Sequence, residues 1–149
     1  MADIHELRSD SDIVAAFPLM SELRDRIQAD TFLAEVRRQQ AQGYELIGAF
    51  EGGRLVALAG VRRTHTLSRG EHLFVDDLVT DARVRGAGHG SAMMRWLATR
   101  AAAEGVMRID LDSRITARGF YERLGFTFHT SIPCSLEIPK YLAEAGTVL

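Results

Sequence analysis

The chain has 149 residues, 46% of them apolar and 26% charged, with a formal net charge of −2. That length and balance suit a single globular domain, 1–149, and the near-neutral charge argues against a general nucleic-acid binder. The lone cysteine, Cys134, excludes an internal disulfide and a cysteine-rich metal site, and no apolar run approaches the roughly 20 residues of a bilayer span. The polar, acidic N-terminal segment is unlike a secretory leader, so a cytoplasmic protein without a membrane partner is expected.

Residues 4–7 predict a short opening strand. Ser9, Asp10, Ser11 and Asp12 are N-cap candidates for a helix near 12–23, in which Pro18 is a break or kink. A second helix is expected over 30–42, with Phe32, Leu33 and Val36 on one face and Gly43 as its stop. Strands over 44–51 and 54–64 follow, joined by the hairpin signal Gly52-Gly53. A turn from Thr66 to Gly70 precedes a strand at 72–80. Met93, Met94, Leu97 and Ala101 place an apolar stripe on a helix that begins near Ser91 and stops at Gly105. A strand over 106–112, a helix over 115–124 capped by Gly125, and strands near 126–131 and 134–138 complete the pattern. The last ten residues read as a tail helix or a frayed end. This order embeds a β-α-β unit among antiparallel hairpins, which predicts an α/β (α+β) fold: a mixed, mostly antiparallel sheet flanked by helices.

The most informative stretch is Arg85-Gly86-Ala87-Gly88-His89-Gly90-Ser91, between the 72–80 strand and the following helix. A glycine-rich turn that opens a helix aims unpaired N–H groups at one spot, where the helix dipole also favours an anion. A phosphate or pyrophosphate is the fitting ligand; an ordinary tight connection is the bland alternative. The Walker A pattern fails for want of a Gly-Lys-Ser/Thr ending, and the dinucleotide fingerprint fails because Ser91 stands where its third glycine belongs.

Arg85, Gly88 and Gly90 do match R/Q-x-x-G-x-G/A. Leu78-Val79-Thr80-Asp81 reads as an apolar-rich strand end followed by an acid. Residues 106–112 supply the next strand, and Ala117, Phe120-Tyr121 and Gly125-Phe126 reproduce A-x-x-F-Y-x-x-x-G-F. In these features, from about 72 to 127, the chain resembles the GNAT superfamily of acyl-CoA-dependent N-acetyltransferases. The resemblance implies that the fourth and fifth strands splay to form a coenzyme slot. It also implies that acetyl-CoA is the co-substrate, with no metal.

Under that resemblance, backbone groups of Arg85, Gly86, Ala87, Gly88, His89, Gly90 and Ser91 hold the pyrophosphate. Leu78, Val79 and Thr80 face the pantetheine arm, and a bulge at this point, carried to Leu78, polarises the thioester carbonyl. Tyr121 matches the family tyrosine that protonates the departing thiolate; the alternative is that it packs the helix onto the sheet. Phe74 stands where many members carry a basic glutamate. By strand alternation Asp76 shares its face and Asp77 points the other way. Asp76 matches an acid of glucosamine-phosphate acetyltransferases and is the first candidate base, against a purely structural carboxylate. Asp112 is the second.

Two positions depart from the pattern. Arg114 replaces a frequent Asn and is assigned to a coenzyme phosphate or to solvent, and Ala87 replaces an often basic residue. His5, His65, His72, His89 and His129 lack the paired spacing of a metal site. The expected activity is acetyl transfer to a primary amine; the competing reading is a catalytically silent acyl-CoA-binding or sensing module. The partners expected are acetyl-CoA and an amine, with no nucleic acid. A homodimer is expected through edges of the strands after Phe126.

Overall fold

The computed structural model describes residues 2–146. It divides into two compact units, one reaching to Arg114 and one starting at Ile115. In the first unit the period-2 runs form five strands in the order β1 (Asp3–Glu6), β2 (Tyr44–Glu51), β3 (Arg54–Thr66), β4 (Gly70–Thr80) and β5 (Ile109–Leu111). Each of the first three pairs antiparallel with the next, and β5 pairs parallel to β4. The mixed, mostly antiparallel sheet read from the sequence is thus the sheet observed.

Helices cover both faces of this sheet. On one face lie α1 (Asp10–Ala15), α2 (Phe17–Leu23) and α3 (Phe32–Gln40). Ser9 caps α1 by accepting the Asp12 N–H, and the predicted break falls at Ala16, with Pro18 in the first turn of α2, where its missing N–H costs nothing. Ile13, Leu19, Met20, Phe32 and Val36 from these helices bury against Tyr44, Leu46, Leu58 and Val79 of the sheet. The opposite face meets α4 (His89–Ala103), whose Met93 and Leu97 are fully buried. A bidentate ion pair from Arg100 of α4 to Glu45 of β2, at 3.0 and 3.2 Å, marks the same face.

Most boundaries shift from expectation by one to three residues, and two of the differences have a clear local cause. The helix after the glycine turn starts at His89 rather than near Ser91, because Gly88 is the N-cap and its carbonyl accepts the Ala92 N–H. The strand expected over 106–112 is confined to Ile109–Leu111. Val106 is instead spent on the end of α4, its N–H bonded to the Ala101 carbonyl at 2.8 Å while Gly105 bonds to Ala102, a 6→1 and 5→2 pair that closes a helix.

The second unit contains a 3₁₀ turn over Ile115–Ala117, α5 (Arg118–Leu124) closed by Gly125, and α6 (Ile138–Gly146). The tail-helix alternative is therefore the one observed, its last three residues lying outside the described ones. The strands expected near 126–131 and 134–138 are not formed: no ladder runs through 126–137. Alternation makes a strand only where another strand supplies partners, and Pro133 lacks one of the donors. Without those strands, residues 126–137 offer no strand edges for a dimer to pair through.

Candidate active site

The glycine turn is built for close backbone approach. Gly86 and Gly88 have φ of +87° and +83°, a region closed to most side chains, and a Cβ at either would meet nothing within 4 Å. Arg85 to Gly88 are exposed, while His89 and Gly90 are half-buried. Because Ala92 makes the first intrahelical bond and Gly88 has no side chain to cap with, the N–H groups of His89, Gly90 and Ser91 have no partner within the helix. Among the described residues neither Arg85 nor Arg95 forms an ion pair, whereas Arg83 is forked onto the buried Asp81.

Beside it, the β4–β5 ladder is short. It joins Leu73, Phe74 and Val75 to Ile109, Asp110 and Leu111 and stops there. From Asp77 to Thr80, including Leu78 and Val79, β4 continues against β3 alone. The parallel pairing thus ends where β5 ends, at Leu111.

The register of β3 on β4 contains a bulge. Asp77 faces Gly60 and Val75 faces Val61, which leaves Asp76 as the extra residue. The bulge lies at Asp76, two residues before Leu78, where it was expected. It also corrects the alternation: Asp77 does not point away from Asp76. One additional residue resets the period of two, so both carboxylates reach one cluster. Arg62 donates from Nε to Asp76 Oδ2 at 2.7 Å. Arg24, just past α2, donates to Asp77 Oδ1 at 2.9 Å and to the Asp76 carbonyl at 2.7 Å. The Tyr44 hydroxyl donates to Asp77 Oδ2 at 2.8 Å. The Arg62 guanidinium also lies 5.4 Å from the centre of the Tyr44 ring.

Tyr44 reaches from β2 across β3 to β4, and Gly60 is the reason it can. A Cβ at Gly60 would fall on the Tyr44 hydroxyl and on the Asp77 carboxylate. Burial, and next the charge of Asp77, push the Tyr44 phenol far above its ordinary value of 10.0, so it stays a donor.

The remaining candidates share no hydrogen bond or ion pair with this cluster among the described residues. Asp112 follows the last residue of β5 and is exposed. Arg114 donates to the Leu23 carbonyl at 3.1 Å, where the end of α2 favours a cation. In the second unit Tyr121 is buried and meets Phe120 and Phe126 edge-on, with ring centres 5.0 and 5.3 Å apart. Burial raises its phenol above the usual value. Among the described residues no group of three His, Cys, Asp or Glu could hold a metal, and no helix is long and apolar enough to cross a membrane.

Residues 2–126 match the family model described as Acetyltransferase (GNAT) family. The chain belongs to the GNAT acetyltransferase family. It is 30% identical over 135 residues to an uncharacterized N-acetyltransferase of Bacillus subtilis, YhdJ, covering 87% of this chain and 95% of that one. It is also 30% identical over 99 residues to a glucosamine 6-phosphate N-acetyltransferase of Trypanosoma brucei brucei, covering 65% of this chain and 67% of the relative. Among solved structures, a Trypanosoma brucei acetyltransferase superposes with a TM-score of 0.73 at 25% identity, over 92% of this chain and 99% of the other.

Within a GNAT frame, Tyr44, Arg62, Arg24 and Asp77 are residues that the sequence motif does not point to. One signal was available: an isolated glycine inside a strand marks a close approach or a bulge, and Gly60 marks both.

Proposed function

We propose that this chain is one acetyl-CoA-dependent N-acetyltransferase domain that passes an acetyl group directly to a primary amine of a small molecule or a protein. The observation that carries the reading is the exposed glycine turn at the head of α4, beside a stretch of β4 that has lost its parallel partner. The turn suits a pyrophosphate: its helix-opening N–H groups have no helical partner, two glycines leave open space, and Arg85 stands at its start. When bound, the coenzyme supplies an acetyl group activated as a thioester.

The rest is the work of this chain's own groups. N–H groups of residues 85–91 hold the pyrophosphate, and Arg114 has donors beyond the one on Leu23 for a further phosphate. Backbone groups of Leu78, Val79 and Thr80 orient the pantetheine arm and polarise the carbonyl. Asp76, with Oδ2 fixed by Arg62, receives the ammonium proton at its carboxylate, directly or through a water; Asp112 is the alternative. Tyr121 gives its phenolic proton to the departing sulfur, a role favoured by burial that keeps the phenol protonated.

Thiol release from acetyl-CoA, measured with a panel of amines that includes amino-sugar phosphates, tests the reading. Turnover on at least one amine is expected, with Tyr121→Phe lowering kcat by about 10²- to 10⁴-fold while the coenzyme still binds. Coenzyme binding without turnover on any amine would instead make the protein a silent acyl-CoA-binding module. An unchanged kcat in Tyr121→Phe, with chemistry rate-limiting, would return that residue to packing.

A further inference from the structure

Resting on the function proposed above, we propose that the β2–β3 hairpin braces the coenzyme turn at both ends, with Asp81, Arg54, Glu51 and His89 as positioning residues for the pyrophosphate site. At the entrance to the turn, Asp81 follows β4 and is 5% exposed at its side chain. Its N–H donates to the Val56 carbonyl of β3 at 2.9 Å. Its Oδ2 accepts from Arg54 at 2.7 Å and from Arg83 at 2.8 Å, and its Oδ1 accepts from the Arg83 backbone N–H at 2.9 Å and from Nε at 3.1 Å. These bonds wind residues 82–84 into the 3₁₀ turn that delivers Arg85.

At the exit, His89 is the first residue of α4, and its side chain is 10% exposed. Its Nδ1 lies 3.7 Å from Glu51 Oε2, an ion pair when the imidazole is protonated. Glu51 and Arg54 flank the two glycines of one hairpin, so a single rigid element holds both ends of the turn. Between them Arg85 to Gly88 are exposed, and the Ala87 N–H reaches only the Val84 carbonyl, at 3.4 Å.

A phosphate site made of backbone N–H groups works only if those groups already converge. Glycine-rich backbone has the most freedom to lose, so the convergence must be imposed from outside the turn. The hydrogen bonds from Arg83 hold the Asp81 carboxyl well below the usual range, which keeps this anchor ionised. Arg54 and Arg83 around one carboxylate, with Arg85 two residues after Arg83, also leave positive charge in excess beside the turn. That offsets the absence of a basic residue at Ala87.

Calorimetric titration of the full chain with coenzyme A tests the brace. Arg54 is half-exposed, so Arg54→Ala should keep the thermal midpoint within about 2 °C while raising Kd about tenfold. Arg54→Lys restores a charged donor and should bring Kd back to within about threefold of the parent, which a loss of packing would not do. Asp81→Asn should weaken binding at least as much as Arg54→Ala, and Glu51→Gln should raise Kd about threefold. Parental affinity in both Arg54→Ala and Asp81→Asn would overturn the brace. So would a weakening that follows a fall in thermal midpoint and is not rescued by lysine. If Gly88→Val loses the coenzyme while Arg54→Ala and Asp81→Asn both retain it, the proposed function stands and only the brace falls. If the parent protein binds no coenzyme A, the function itself is wrong and the brace with it.

Discussion

The glycine turn and the acid cluster on the β4 bulge are both candidate parts of one reaction, but they are built on different principles. The turn is local: residues 85–91 are contiguous, and their chemistry is that of backbone N–H groups at a helix start. The cluster is assembled: Arg24, Tyr44, Arg62, Asp76 and Asp77 come from the end of α2 and from three strands, joined by side-chain bonds of 2.7 to 2.9 Å. A site made of backbone tolerates changes in side chain but not in glycine. A site made of side chains depends on every element that delivers one.

Substitutions separate the two. The largest effect is expected from Gly88→Val, which forces a β-branched residue into φ of +83° and blocks backbone approach. Coenzyme affinity measured by calorimetry should fall at least about a hundredfold, while Tyr44 remains bonded to Asp77. Gly60→Ala should do the reverse. Its methyl group would displace the Tyr44 hydroxyl and the Asp77 carboxylate, costing about 2 kcal/mol in urea unfolding while coenzyme affinity is kept. Comparable loss of coenzyme affinity in both variants would mean that the two regions act as one.

Tyr44→Phe removes only the hydroxyl and should cost about 1 kcal/mol at neutral pH. Its sharper signature is alkaline. The folded phenol is pushed above its ordinary value of 10.0, so its contribution is complete below pH 10 and is lost as pH rises above it, when only the unfolded chain ionises. Between about pH 10 and 12 the stability of the parent should fall by an extra 1.4 kcal/mol or so per unit relative to the variant. Parallel curves over that range would remove Tyr44 from the cluster. The smallest effect is expected from Ala87→Lys, which adds one exposed charge to the turn. Coenzyme Kd should improve by about threefold at low salt and return to the parental value at high salt.

The same contrast explains what could be read in advance. The order of strands and helices in the first unit follows from alternation, caps and glycine stops, each a property of a few adjacent residues. The turn was legible for that reason. The orientation of Asp77 was not, because one bulge residue, Asp76, inverts every alternation argument beyond it, and a bulge leaves little mark on composition. Arg24 lies 53 residues from Asp77, and no local pattern couples them. The segment 126–137 failed in the opposite sense: its alternation is real, but a strand also needs a partner, which the segment itself does not specify.

The central claim is that backbone N–H groups at the head of α4 receive the coenzyme, and amide NMR reads those groups one by one. Titration of ¹⁵N-labelled protein with coenzyme A should move the amide resonances of Gly88, His89, Gly90 and Ser91 the most, saturating together with a single Kd. Saturable binding that leaves these four amides in place, with shifts confined elsewhere, would contradict the account.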